Sequence, residues 1–134
     1  MIIGISGAQG QGKSTLINAV TDRDYGFVNA ELQTARELLD DWGYTLDSIN
    51  RYMPLKIKFQ EELLKRHAES LLDYDTNPNC VLVERTFADI FTYALLSVGP
   101  FNRYSTWLNK YAEKCQKLQS DCFAHVLFLS GREY

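Results

Sequence analysis

Short apolar segments alternate with longer segments of helical periodicity along the chain. Four apolar segments predict strands, at residues 1–6, 26–29, 80–83 and 123–129. Apolar residues that recur at steps of three and four predict helices, at residues 13–20, 31–41, 54–74, 87–98 and 101–120. Residues 47–52 are predicted to form one short turn.

The order of these elements predicts the fold class. Strands that alternate with helices favour right-handed crossovers and a parallel sheet with helices on both faces. Residues 80–83 are apolar throughout, which is typical of a strand buried on both faces. We therefore predict an α/β fold, a three-layer α/β/α sandwich with a parallel sheet of about four strands. Ligands of such sheets bind beyond the carboxyl ends of the strands.

Composition narrows the class of protein further. The chain has 134 residues, 46% of them hydrophobic, so a single domain over residues 1–134 is expected. Its formal net charge of −3 argues against a general nucleic-acid surface and against a basic patch for membranes. The three cysteines lack metal-ligand spacing and are expected to be reduced thiols. Without a signal-peptide pattern or an apolar run of roughly 20 residues, we expect a soluble, cytoplasmic protein.

One motif carries specific chemistry. The stretch GAQGQGKS at residues 7–14 matches G-x-x-x-x-G-K-[ST] and lies between a predicted strand and a predicted helix. Its glycines allow backbone N–H groups to surround phosphate oxygens, and Lys13 reaches the outer phosphates. The Ser14 hydroxyl is the expected ligand of Mg²⁺. The predicted cofactors are therefore ATP or GTP and Mg²⁺. The candidate nucleotide-binding residues are Gly7, Gly10, Gln11, Gly12, Lys13, Ser14 and Thr15.

A second group of candidates follows the third predicted strand. Glu84 ends that strand, where it is expected to hold the metal or to polarise an acceptor hydroxyl. Arg85 can donate two parallel hydrogen bonds to a phosphate or a sugar-bearing substrate, or form a surface ion pair. Asp89 lies four residues further on, at the spacing of an ion pair with Arg85 on one helix face.

Several segments together resemble the P-loop small-molecule kinases, in particular the nicotinamide riboside kinase-like domains and the phage-type nucleoside and nucleotide kinases. They are the P-loop, residues 33–39 (QTARELL), residues 58–62 (KFQEE), residues 83–86 (VERT), Asp89 and Tyr93. The resemblance implies a sheet in the strand order 2-3-1-4 and ATP as phosphoryl donor. It also implies that the pair Glu84-Arg85 faces the acceptor.

The resemblance extends the set of candidate residues. The families place an acidic residue after the second strand, and Glu31, Gln33 and Glu37 all lie near that place. Glu31 and Arg36 are the substrate-binding candidates in this segment. They also continue past the fourth strand into an arginine-bearing lid, and Arg132 stands where that lid begins. This sequence contains only the beginning of such a lid. We therefore expect one of three cases: a reduced kinase with slow transfer, a fragment of a kinase, or a protein that binds nucleotide without efficient turnover.

Three functional hypotheses follow. The first is an ATP- and Mg²⁺-dependent kinase of a nucleoside, a nucleotide or a similar small acceptor, with Lys13, Glu84 and Arg85 as catalytic residues. Its substrate-binding residues are Glu31, Arg36, Arg85, Asp89 and Arg132, and its metal ligands are Ser14 and Glu84. The second is a nucleotide-binding interaction module with weak or no turnover. The third is a nucleotide hydrolase that drives a conformational change. Each is compatible with a homo-oligomer.

Overall fold

Four parallel strands form the sheet in the part of the chain that the structure describes. The structure is a computed structural model that describes residues 1–7, 12–21, 26–30, 32, 35–98 and 102–129. The strands are β1 (Ile2–Gly7), β2 (Phe27–Asn29), β3 (Cys80–Val83) and β4 (His125–Leu129). They lie in the order β2-β3-β1-β4, and all three neighbouring pairs are parallel. This order confirms the predicted topology and places the carboxyl ends of β1 and β3 at the same edge of the sheet.

Helices cover both faces of this sheet. They are α1 (Lys13–Thr21), α2 (Ala35–Trp42), α3 (Leu46–Arg51), α4 (Met53–Leu72), α5 (Phe87–Val98) and α6 (Ser105–Cys122). A single 3-10 turn, Asn102–Tyr104, precedes α6. No helix among these described segments is long and apolar enough to cross a membrane.

The two faces of the sheet bury different side chains, because successive strand residues point to opposite sides. On one face, Ile5 and Leu82 pack with Ile17 of α1. On the other, Val81 and Val83 belong to a larger cluster with residues of α4, α5 and α6. A smaller cluster joins α2 and α3 to α4. The predicted three-layer α/β/α sandwich is thereby confirmed.

The boundaries of β3 and α5 agree with the predicted ones, and those of β1, β2, β4, α1 and α4 differ by one or two residues. The helix α6 begins at Ser105 instead of at residue 101, because a 3-10 turn precedes it. The predicted turn at residues 47–52 is the six-residue helix α3, because Thr45 and Ser48 cap each other's backbone N–H groups. The described part of α2 begins at Ala35, and residues 31, 33 and 34 lie outside the described residues. The last strand begins at residue 125 instead of 123.

Gly4 allows close packing between β1 and the turn that follows β3. A Cβ atom at this position would lie 2.6 Å from Thr86 Cγ2 and 3.2 Å from the Phe123 ring. Thr86 and Phe123 are themselves buried, so neither side chain has open space into which it can move. The absence of a side chain at Gly4 therefore sets how near the β3–α5 turn lies to β1.

Replacing Gly4 by alanine is expected to lower the free energy of unfolding by about 1–3 kcal/mol, the range for added volume in a packed core. The contact with Thr86 Cγ2 is the source of most of this loss. Thr86→Ser removes that methyl group but keeps the hydroxyl, so the double variant should lose less stability than the two single variants combined. Urea unfolding of all four proteins checks this, and strictly additive losses would contradict it.

Candidate functional site

A cavity opens where the carboxyl ends of β1 and β3 meet. Its volume is about 850 Å³, within the range of roughly 300–1,000 Å³ that ligand pockets span. The polar part of its lining, here called the polar end, consists of Gly7, Gly12, Lys13, Ser14, Thr15, Glu84, Arg85, Asp89 and Thr92. The remaining part, here called the far wall, consists of Ala35, Leu63, Ile90, Tyr93 and Leu96. The cavity thus combines a polar and a mainly apolar lining.

Ser14 and Glu84 meet at the polar end of the cavity. The Ser14 hydroxyl donates a hydrogen bond of 2.8 Å to Glu84 Oε1, across 70 positions of sequence. Ser14 lies in the first turn of α1, and Glu84 is the first residue after β3. Because β1 and β3 are parallel neighbours, α1 and the β3–α5 turn begin at the same edge of the sheet. The strand order therefore brings together the two predicted metal ligands.

Lys13 lies over the end of β1. Its Nζ atom donates a hydrogen bond of 2.9 Å to the Gly7 carbonyl oxygen. Gly7 has φ +149°, and a Cβ atom there would lie 2.7 Å from the Leu129 carbonyl oxygen of β4. A glycine is therefore required where the chain leaves β1. The hydrogen bond to Gly7 keeps the Lys13 ammonium at the cavity lining.

Asp89 connects β1 to the start of α5. Its Oδ1 atom accepts a hydrogen bond of 2.8 Å from the Ser6 hydroxyl. Its Oδ2 atom accepts from the Thr86 backbone N–H at 2.9 Å and from the Thr86 hydroxyl at 3.0 Å. Both carboxylate oxygens are thus engaged with Ser6 and Thr86, and no salt bridge joins Asp89 to Arg85, which the structure also describes. The spacing of Thr86 and Asp89 is that of a capping box, a signal that sequence reasoning missed.

The remaining candidates occupy different places. Arg85 is exposed and lines the cavity. Arg36 is exposed on α2 next to the cavity-lining Ala35, but it is not itself among the lining residues. Four candidates lie outside the described residues, namely Gly10, Gln11, Glu31 and Arg132.

His67 is a buried residue next to the candidate site. It lies on α4, is 4% exposed and contacts Phe87 edge-on, with ring centroids 5.2 Å apart. Its Nε2 atom lies 2.9 Å from the Arg85 carbonyl oxygen. Because a carbonyl only accepts, Nε2–H is the donor. Burial lowers the pKa of His67 to about 4, so the ring is neutral near neutral pH.

Acidification is expected to destabilise the protein through His67. The unfolded chain has the ordinary histidine pKa of 6.5, whereas the folded chain resists protonation down to about 4. The stability that neutral His67 contributes above pH 6.5 is therefore lost as the pH falls. The free energy of unfolding should decrease by about 2 kcal/mol between about pH 7 and about pH 5. Urea unfolding across this pH interval measures it.

His67→Gln removes the titrating ring and should flatten this part of the pH dependence. His125 is exposed on β4, so His125→Gln is the matched control and should keep the full acid-induced loss. Equal pH dependence in the wild type and in His67→Gln would contradict the expectation.

The donor set at the polar end fits Mg²⁺. The described residues contain no group of three or more His, Cys, Asp and Glu side chains that could hold a metal ion. Ser14 and Glu84 instead offer one hydroxyl and one carboxylate oxygen within 2.8 Å of each other. Mg²⁺ prefers such oxygen ligands, keeps several waters and completes its shell with substrate phosphates. These two residues would therefore hold a magnesium ion together with a nucleotide.

The fold and the motif at its first strand define a P-loop domain of the NTPase type. The sequence profile of the AAA domain family matches residues 2–130, and the chain belongs to this family. No curated protein matches the chain. Domains of this class generally bind nucleotide and Mg²⁺.

Proposed function

We propose that the protein transfers a phosphoryl group from ATP to a small acceptor that bears a hydroxyl or a phosphate, with nucleosides and nucleotides as the first candidates. The observation that carries this proposal is the extent of the cavity. Its lining includes side chains of α4 and α5 in addition to Glu84, Arg85 and the P-loop residues. A domain that only hydrolysed its nucleotide would need space for a water molecule next to the phosphates. It would not need the additional lining that α4 and α5 provide.

The far wall suits an acceptor with a flat or apolar part. Leu63 and Ile90 are buried, and Tyr93 is 44% exposed, so its ring is accessible from the cavity. Aromatic side chains stack on nucleobases at little cost in conformational entropy. Arg85 lines the same cavity, where its guanidinium can bind a phosphate or hydroxyl of the acceptor.

Each residue at the polar end has a role in this proposal. Lys13 contacts the outer phosphates of ATP and balances the charge that develops on them during transfer. Ser14 and Glu84 would hold Mg²⁺, which would neutralise part of the phosphate charge. Glu84 has a second candidate role, in which its carboxylate accepts the proton of an acceptor hydroxyl. Asp89 keeps the start of α5 attached to β1 through Ser6.

A second candidate function is a nucleotide-dependent interaction module, which a feature of β4 favours. This strand lies at the edge of the sheet, and Val126, Leu127 and Phe128 are 40%, 50% and 72% exposed. Apolar strands at open edges are typical sites of association with another chain. Since β4 pairs with β1 up to Gly7, such a surface lies close to the P-loop.

An acceptor screen separates these functions. Nucleosides, mononucleotides and nicotinamide riboside are incubated with ATP and Mg²⁺, and both ADP and the phosphorylated acceptor are measured. ADP formed in step with one phosphorylated acceptor supports the kinase. ADP formed at the same rate without any acceptor supports hydrolysis. ATP binding without ADP formation supports the interaction module and contradicts the kinase.

A further inference from the structure

The peptide group between Arg85 and Thr86 is hydrogen bonded at both ends. Its carbonyl, which belongs to Arg85, accepts the bond of 2.9 Å from His67 Nε2. Its N–H, which belongs to Thr86, donates to Asp89 Oδ2, also at 2.9 Å. The first partner lies on α4 and the second on α5, so two helices hold one peptide plane.

This peptide controls the two residues that face the cavity. β3 ends at Val83 and α5 begins at Phe87, so only three residues connect the strand to the helix. Glu84 and Arg85 have exposed side chains, so core packing does not fix their orientation. Their directions depend on the backbone of the turn, in which the Arg85 carbonyl is bonded to His67 and the Thr86 N–H to Asp89.

Packing alone does not account for an imidazole at this position. Three of its four neighbours one turn away along α4, namely Leu63, Leu64 and Leu71, are buried, and the fourth, Ser70, is half-buried. A leucine at position 67 would continue that apolar surface without burying a polar ring. What a leucine lacks is a donor for the Arg85 carbonyl. The edge-on contact with Phe87 fixes the plane of the ring and therefore the direction of its N–H bond.

We propose that His67 is a positioning residue that acts through the Arg85 carbonyl to hold Glu84 in place for the metal and Arg85 in place for the acceptor. The proposal rests on the proposed function only for the roles of Glu84 and Arg85. The hydrogen bond of Ser14 to Glu84 depends on the same turn geometry. If the turn is displaced, the first quantity to change should therefore be the effect of Mg²⁺ on ATP affinity.

Three variants test the proposal. His67→Leu removes the donor and keeps an apolar side chain, whereas His67→Gln offers an amide N–H at a similar distance along the side chain. Leu71→Ala is the matched control, because it removes a buried side chain from the same helix one turn further on and leaves the His67 donor in place. The first measurement is the ratio of the ATP dissociation constants without and with Mg²⁺. The second is amide hydrogen exchange of Thr86 relative to Val81 in the centre of the sheet.

We expect His67→Leu to reduce the Mg²⁺ effect about tenfold or more, as for residues that orient metal ligands. Thr86 exchange should accelerate relative to Val81 exchange in the same variant. His67→Gln should restore both values, and Leu71→Ala should change neither ratio. The proposal would be overturned if His67→Leu kept the wild-type ratio of Thr86 to Val81 exchange. It would also be overturned if His67→Gln lost as much of the Mg²⁺ effect on ATP binding, and as much Thr86 protection, as His67→Leu. Both measurements are made without an acceptor, so failure of the acceptor screen leaves this test intact.

Discussion

Replacing Lys13 by alanine is expected to weaken ATP binding and to lower turnover by about 10²–10³-fold, the usual effect of removing one donor that stabilises transition-state charge. In the structure, Nζ donates a hydrogen bond to the Gly7 carbonyl, and both residues line the cavity. That bond is replaceable by water at this half-buried position, so the free energy of unfolding should change by less than about 0.5 kcal/mol. Isothermal titration with ATP and Mg²⁺ measures the affinity.

Two further variants make the Lys13 result specific. Lys13→Met keeps the length of the side chain without its charge and should behave like the alanine variant. Lys110→Ala removes an exposed lysine from α6, away from the cavity, and should bind ATP like the wild type. Equal ATP affinity in the wild type and both Lys13 variants would show that this lysine does not contact the phosphates.

The fold could be predicted because its main signals are local. The apolar run of β3 and the helical periodicity of α5 contain their own boundaries, and the parallel order follows once strands alternate with helices. The helix α3 could not be predicted in the same way. Six residues are too few to show a period of 3.6, and its stability depends on the side-chain caps of Thr45 and Ser48.

The candidate site was predictable only in part. Lys13 and Ser14 follow from a motif, and Glu84 follows from its place after a strand that neighbours β1. The bond of Ser6 to Asp89 spans 83 positions, and it forms because Gly4 lets the turn approach β1. The role of His67 depends on which side of α4 faces that turn. Periodicity shows that this side is buried, but it does not show that a carbonyl lies opposite the imidazole.

Replacing Glu84 by glutamine is expected to weaken ATP binding in the presence of Mg²⁺. If the carboxylate instead accepts the acceptor proton, the replacement lowers turnover by about 10²–10⁴-fold. The amide oxygen can still accept the hydrogen bond of Ser14, so the structure without ligands should be retained. The comparison with Glu113→Gln, an exposed acid on α6, controls for a change in net charge alone.

The two roles of Glu84 predict different patterns in the same variant. As a metal ligand, its replacement weakens ATP binding only when Mg²⁺ is present, since the amide oxygen carries no charge to attract the cation. As a proton acceptor, it leaves Mg²⁺-dependent ATP binding unchanged and lowers only the rate of transfer. Titrating ATP with and without Mg²⁺, beside single-turnover rates with an acceptor, separates the two. Because Ser14 already donates to Glu84 at 2.8 Å, the carboxylate lies where the metal ligand is needed, and we expect the first pattern.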